Sequence, residues 1–395
     1  VGLPAPSSTM HLNMGPSHPA MHGTIKIALE LDGEVVKKTD VEIGYLHRAF
    51  EKTAEHRTWN QVIPYTDRLN YVSPLINNVG YALAVEKLFG VTVPLRCQYL
   101  RVLVSELSRI TDHLTCDGAM GMEAGALTVF IYLIKAREMI WQLLEELTGA
   151  RLTVSYTRVG GLTGDLTDRF VNELPRVLKE TRKALAESTA LLKKNRIFYD
   201  RLRGVGILTK EDAMDYGVTG PVGRASGVDY DVRRDLPYLV YDQLTFAVPL
   251  GGEGDSWDRF WVRFEEIEQS LGLVEQVLRA IPAGPLSVDD QRITLPPKSA
   301  VYQDMESLIH HFKLLMPGHG LRPPAGDAYV AVEGGNGELG FYVVSDGTDR
   351  PWRVRVRAPC FHPMAALHKI LEGGMVADII PAFGSINMIA GELDR

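Results

Sequence analysis

Two histidines, His18 and His22, stand four residues apart in "NMGPSHPAMHGT", residues 13–24. On a helix that spacing would present both imidazoles on one face, as a metal-binding pair does. A helix is excluded here. Pro19 lies between the histidines, Pro16 just before them, and Gly15 and Gly23 bracket the group. Proline removes a backbone donor and clashes with the preceding turn, so the pair belongs to a loop. A zinc site without cysteine would need a further His or carboxylate close by, and the local sequence offers none. Two loop histidines would ordinarily be surface residues. The glycines and prolines around them argue instead for a loop held in one shape.

Other motifs point to chemistry less well. Gly335-Asn-Gly337-Glu-Leu-Gly340 matches the dinucleotide-binding pattern. That pattern needs a helix directly after it to receive a pyrophosphate. "FYVVSDG" follows, which reads as strand, so a glycine-rich turn between two strands is expected. Arg353, Arg355 and Arg357 alternate with valines and share one strand face. Two readings stay open for them, a solvated sheet edge and a docking strip for an acidic partner. His310 and His311 are adjacent on a helical stretch and point apart. His47 in "GYLHRAFEK" reads as a satisfied core or interface histidine.

The elements that must position these residues are mostly helical. Residues 24–44 give two β-rich segments around Asp32-Gly33, a hairpin signal. A helix ends at Gly90, and Pro94 opens the next. There Leu100, Leu103, Leu107, Ile110 and Leu114 form an apolar stripe, with Arg101, Ser105, Glu106, Ser108 and Asp112 on other faces. Further helices are expected at about 127–147 and 168–192. Trp257, Trp261, Phe264, Ile267, Leu271, Val274 and Leu278 mark another that stops at Pro282. These stripes read as bundle core. After a proline-bearing connection at 282–299, residues 328–347 and 352–359 read as strands. The expected class is mostly α with small β-sheets near both ends (α+β). One integrated unit is expected, with a β-rich region at 1–46, a helical core at 47–325 and closing strands and helix at 326–395.

Composition narrows the function. The 395 residues are 45% hydrophobic, enough for a large core, and carry a formal net charge of −7. No long basic tract is present, which argues against nucleic acid. Cys97, Cys116 and Cys360 stand far apart without a CxxC, so neither a disulfide framework nor a thiolate metal site is expected. The longest apolar run, at 124–134, is too short to span a bilayer, and no signal peptide is evident. Because the chain begins with Val1, a short missing leader is expected. The reading is a soluble cytoplasmic protein whose membrane association comes through partners.

Several motifs, in order and from about His11 to Arg395, resemble the quinone-site 49 kDa, or D, subunit of respiratory complex I. They include "NMGPSHPAMHG", "GYLHRAFEKTAEHRT", "YTDRLNYVSPLINNVGYALAVEKL", "ELSRITDHL", "TGARLTVSYTRVGG", "RASGVDYDVR", "GELGFYVVSDG" and the closing "GELDR". That family is similar in turn to the large subunit of nickel–iron hydrogenases, whose fold the helical core is expected to share. The two metal-holding CxxC pairs would fall at Asn70 and Ser73, and at Ile389 and Glu392. None is cysteine, so nickel is not expected and the old metal pocket should be left as a cavity.

The resemblance implies a quinone-reducing site in a proton-pumping NADH:quinone oxidoreductase, of which this chain is one subunit, inactive alone. Tyr71 and His22 would hydrogen-bond and protonate the quinone head group. Glu123, where the family usually carries Asp, would keep His22 charged and replace its proton. A helix-N-terminal carboxylate favoured by the dipole is the plainer reading of Glu123, and the two roles are compatible. His18, Gly15, Pro19 and Met21 would complete the cavity loop. Arg68 would lie near the terminal iron–sulfur cluster of a neighbouring subunit, or simply pair with Asp67. Thr153 departs from the family's histidine near that cluster. The implied partners are the iron–sulfur subunit, other peripheral-arm subunits and a membrane subunit at the quinone entrance. The implied location is peripheral, on the cytoplasmic side of the inner membrane. The quinone, ubiquinone or menaquinone, stays open. Rival readings are the large subunit of a membrane-bound hydrogenase-like complex and a non-catalytic scaffold of such a complex.

Overall fold

The computed structural model of the protein describes residues 9–18, 23–316 and 318–395. Ile27, Leu29 and Leu31 are buried while the residues between them are not, the period-two pattern of a half-covered strand. They form β2 (Lys26–Asp32), which turns at Gly33 into antiparallel β3 (Val35–Glu42). A third strand, β1 (Met10–Met14), pairs with the other edge of β2, Met14 facing Ile27. The sequence reading missed it because His11 and Asn13 are exposed and the segment has little apolar alternation.

The helical core follows as α1 (Phe50–Glu55), α2 (Trp59–Thr66), α3 (Pro74–Phe89), α4 (Leu95–Glu123), α5 (Leu127–Thr148) and α6 (Asp168–Leu192). After several short turns come α7 (Ser256–Ala280) and α8 (Met305–Leu315). Boundaries follow local chemistry. Gly90 takes a left-handed C-cap at φ 66°, and the Thr167 and Asp255 side chains accept the Phe170 and Asp258 N–H groups.

In one respect α4 departs from expectation. Its apolar stripe is buried, and so are Arg101, Ser105, Glu106, Ser108 and Asp112, which amphipathicity would send to solvent. The reason is tertiary: α3, α5 and α7 all pack on α4 and leave it no free face. The buried charges are paired, as in Arg101 Nη2 to Glu86 Oε1 at 2.6 Å.

The C-terminal sheet is antiparallel, with β4 (Gly326–Gly334), β5 (Gly337–Ser345) and β6 (Arg353–Arg357) in that order. Gly335 and Asn336 form the turn between β4 and β5, which is the strand-to-strand turn the sequence suggested. Phe341 and Val332 press on Gly80 of α3, where a Cβ would come within 3.0 Å. The β6 arginines are largely engaged within the chain: Arg353 pairs with Glu55 at 3.0 Å, and Arg357 Nη1 donates to the Glu338 carbonyl at 2.7 Å. Arg355 between them is 62% exposed and 4.0 Å from Glu51, so both readings of the strip stay open.

The two ends of the chain meet. Val36 N donates to the Gly374 carbonyl at 2.9 Å, and Gly373 N to the Val36 carbonyl at 2.8 Å. Met14, Ile25, Ile27 and Leu29 share one hydrophobic cluster with Met388, Ile389, Ala390 and Leu393. The architecture is α+β, helical at its centre with a small sheet near each end. Among the described residues no helix is long and apolar enough to cross a membrane.

Candidate functional site

The linker between α2 and α3 carries Arg68, Asn70, Tyr71 and Ser73. Asn70 shapes it, its Oδ1 accepting the Val72 and Ser73 N–H groups at 3.1 and 3.2 Å, a side-chain mimic of a backbone turn. The Asn70 amide then donates to Asp112 Oδ2 at 3.1 Å, and Ser73 Oγ to the same oxygen at 2.6 Å. Asn387 from the C-terminal tail donates to Asp112 Oδ1 at 2.9 Å and to Asn336 Oδ1 at 2.7 Å. Asn336 in turn contacts Cys360 Sγ at 3.2 Å, and the Cys360 N–H donates to Glu392 Oε1 at 2.9 Å.

Asn70, Ser73 and Glu392 are therefore brought together, as their placement at the hydrogenase ligand positions implies. The positions are buried and tied into a polar network centred on Asp112. Sequence reading put Asp112 on an outer helix face and assigned no role to Asn336, Asn387 or Cys360. A usable signal was present: Asp112 lies on the same central helix as the buried stripe, and Asn336 lies in a glycine turn that brings backbone close. At Gly335 a Cβ would sit 2.2 Å from Asp112 Oδ2, so this turn must lack a side chain.

Tyr71 borders the network and is half-buried within the cluster that joins the chain ends. Burial raises its phenol pKa, Cys360, Asp112 and Glu392 push the same way, and Arg48 opposes them. The phenol thus keeps its proton at neutral pH. Among the described residues none is hydrogen-bonded to its hydroxyl. Burial lifts the Glu392 carboxyl to about 7, against the pull of the Cys360 N–H. The carboxylates acting on Tyr71 are thus Asp112, which the sequence did not place at the site, and Glu392, which it placed only as a replaced metal-ligand position.

His22, Pro19 and Met21 lie outside the described residues. Both ends of their loop are described. Gly15 has φ +91°, and a Cβ there would lie 1.9 Å from the Ile25 carbonyl oxygen. Gly23 packs on Ala390, where a Cβ would come within 2.9 Å. His18 is half-buried. The loop is thus anchored beside the C-terminal tail, and Gly391 of that tail lies against the Arg68 and Leu69 carbonyls.

Glu123 is the last residue of α4. This corrects the plainer reading of it, since the dipole there is negative and disfavours a carboxylate. Arg68 pairs with Asp67 at 3.0 Å, with its side chain 47% exposed in a surface cleft shared with Arg57, Gln61, Pro64 and Tyr65. Burial raises Asp67 to about 6, with Arg68 opposing. Thr153 is exposed on the loop after α5. His47 is exposed rather than a core residue, with its Nδ1 2.6 Å from the Asp394 carbonyl. Among the described residues no cluster of His, Cys, Asp and Glu could hold a metal ion.

Residues 123–395 match the family model described as respiratory-chain NADH dehydrogenase, 49 Kd subunit. An NADH-quinone oxidoreductase D-type subunit of Sorangium cellulosum is 56% identical over 394 residues, covering 100% of this chain and 97% of the relative. The corresponding NADH-quinone oxidoreductase chain of Myxococcus xanthus is 52% identical, covering 98% of this chain and 92% of its own. That of Pelobacter propionicus is 51% identical, covering 97% and 95%.

Proposed function

The chain belongs to the 49 kDa subunit family of respiratory-chain NADH dehydrogenase and is one subunit of that multi-subunit oxidoreductase; we propose that its Tyr71 linker and His18–His22 loop together bind and reduce quinone. The observation that carries this is the packing of Tyr71 and of the Gly23 end of the loop against the C-terminal tail, with the Gly15 end held against Ile25.

Quinone becomes quinol by taking up two electrons and two protons. Tyr71 donates its O–H to one carbonyl, and protonated His22 donates N–H to the other. The raised pKa of Tyr71 suits a donor that stays protonated until the electrons arrive. Glu123 restores the charge on His22. Asp112 and Glu392 lie behind the phenol, and a Glu392 carboxyl near neutrality is matched to returning its proton. Gly15 and Gly23 fix the loop ends, which lowers the entropy cost of holding His18 and His22 in place. Arg68 is directed at a partner's iron–sulfur cluster, which delivers the electrons. A membrane subunit closes the quinone entrance, other peripheral-arm subunits bring electrons from NADH, and the chain sits peripherally on the cytoplasmic side of the inner membrane. Movement of the His18–His22 loop on loss of charge passes the change towards the proton-pumping subunits.

Replacing Tyr71 with Phe in the assembled complex tests the reading. Quinone reduction should be lost while electron transfer from NADH to a hydrophilic acceptor persists. Unchanged quinone turnover would favour a scaffold, and stoichiometric nickel in the purified chain would favour the hydrogenase-like alternative.

A further inference from the structure

Between α4 and α7 runs a seam of charge with no part in the site above. Glu106, Arg109, His113 and Asp117 recur at spacings of three, four and four on α4, which places them on one face. Arg259, Arg263, Glu266 and Ser270 recur at four, three and four on α7. All eight are buried, at 1% exposure or less. The helices pair in opposite directions: Ser270 Oγ donates to Glu106 Oε2 at 2.7 Å, and His113 Nε2 lies 2.8 Å from Glu266 Oε2. Arg224 Nε donates to Glu266 Oε1 at 2.8 Å, and Arg233 pairs with Glu106 at 3.1 Å.

This end of the seam is well supplied with partners, and at the far end Arg259 donates to Ser385 Oγ and to the Gly206 and Gly254 carbonyls; the gap lies around Asp117. Among the described residues, neither oxygen of Asp117 has a hydrogen-bond partner, nor do Nδ1 of His113, Nε and Nη2 of Arg263 or Nε of Arg259. Arg263 acts on Asp117 through charge without touching it. Asp117 also feels Glu266 from α7 and Asp112 from its own helix. Cys116 beside it feels Glu123. On the α5 side, Gly118 meets Phe130 and Leu133, and Arg137 donates to Thr115 Oγ1 at 3.0 Å. A buried carboxyl with no partner costs several kcal/mol unless it is neutral or hydrated. Orphan donors and acceptors crowded on neighbouring turns are what an internal water needs, since it requires two to four polar contacts.

We propose that ordered water bridges Asp117, His113 and Arg263, and that this seam is an internal proton relay with Asp117 as its carrier. The step is a proton transfer alone. Asp117 gives its O–H proton to the bridging water, and that water gives one of its own to His113 Nδ1. The products are a carboxylate facing Arg263 and an imidazolium held by Glu266 and Asp117. His113 Nε2 already donates to Glu266, so Nδ1 is the open acceptor. Burial keeps Asp117 protonated at rest. Glu123, reached past Cys116, is the relay's outer end, and only this link to turnover rests on the quinone-site reading.

The test is infrared difference spectroscopy on the intact complex, oxidised against reduced, in H2O and D2O. A protonated-carboxyl C=O band that shifts in D2O and changes on reduction is expected. It should vanish in Asp117→Asn and return at a different frequency in Asp117→Glu. Quinone turnover in Asp117→Asn should fall several-fold with an altered pH profile, while NADH oxidation by a hydrophilic acceptor stays unchanged. No exchangeable band, a band that survives Asp117→Asn, or a wild-type pH profile would overturn the relay. Should either variant fail to assemble, isotope-labelled aspartate in the wild-type complex gives the same decision. If Tyr71→Phe leaves quinone reduction intact while the Asp117 band persists, the site reading fails and the relay stands.

Discussion

Ser73 Oγ donates to Asp112 Oδ2 across 2.6 Å, joining the start of α3 to the middle of α4. The same carboxylate accepts from Asn70 and Asn387, so one buried group holds the Tyr71 linker and the C-terminal tail together.

Replacing Asp112 with Ala leaves the Asn70 amide and the Ser73 hydroxyl without this acceptor and strips Asn387 of one of its two bonds. Each orphan costs about 1–3 kcal/mol, partly relieved by relaxation. The Tyr71 linker and the tail should become protease-sensitive together in the assembled complex, and quinone reduction should fall. Tail protection at the wild-type level would show that Asp112 is not the tie.

The Gly15→Ala change puts a methyl group 1.9 Å from the Ile25 carbonyl oxygen at a backbone angle L-residues rarely adopt. The loop must shift. Quinone turnover should drop at least about tenfold, a transition-state loss near 1.4 kcal/mol, with transfer to a hydrophilic acceptor unchanged. Steady-state assays with both acceptors give the answer.

Glu392 supplies a pH dependence. Its folded-state value of about 7 lies above the ordinary 4.5, so the folded state holds the proton more tightly. Its contribution to stability is complete below about pH 4.5 and is lost as pH rises through about 7. Gln fixes the neutral form. Above neutrality Glu392→Gln should therefore be more stable than wild type, by on the order of 3 kcal/mol, and near-equal at low pH. Thermal inactivation of the complex at pH 5.5 and 8.5 (roughly bracketing the titration) compares the two. A constant difference across that range would count against a titrating Glu392.

For Glu123→Gln the expected result is intact assembly with slower quinone turnover, because the amide cannot return a proton to His22. Normal rates would remove Glu123 from the proton path. The residue lies at the C-terminal end of α4, so losing its charge there should not destabilise the helix.

Element types were legible in the sequence because they rest on local rules. Gly90 and Pro94 separate α3 from α4, Asp32-Gly33 turns the hairpin, and Thr167 caps α6. Gly15 and Gly23, singled out in the sequence, both stand at close approaches, to the Ile25 carbonyl and to Ala390. The site was only partly legible. Tyr71 was found through its motif, whereas Asp112, Asn336, Asn387, Cys360 and Glu392 come from four separate stretches whose hydrogen bonds leave no periodic trace.

The sequence by itself determined the type of the longer helices and of the β2–β3 and C-terminal strands, which apolar stripes form the core, and the family. Only tertiary structure decided that the polar face of α4 would be interior. Amphipathicity assigns a charged face to solvent by default. Here α3, α5 and α7 enclose the helix, and Arg101, Glu106 and Asp112 on it each meet a hydrogen-bonding partner from another element, a fact held in no local window of sequence.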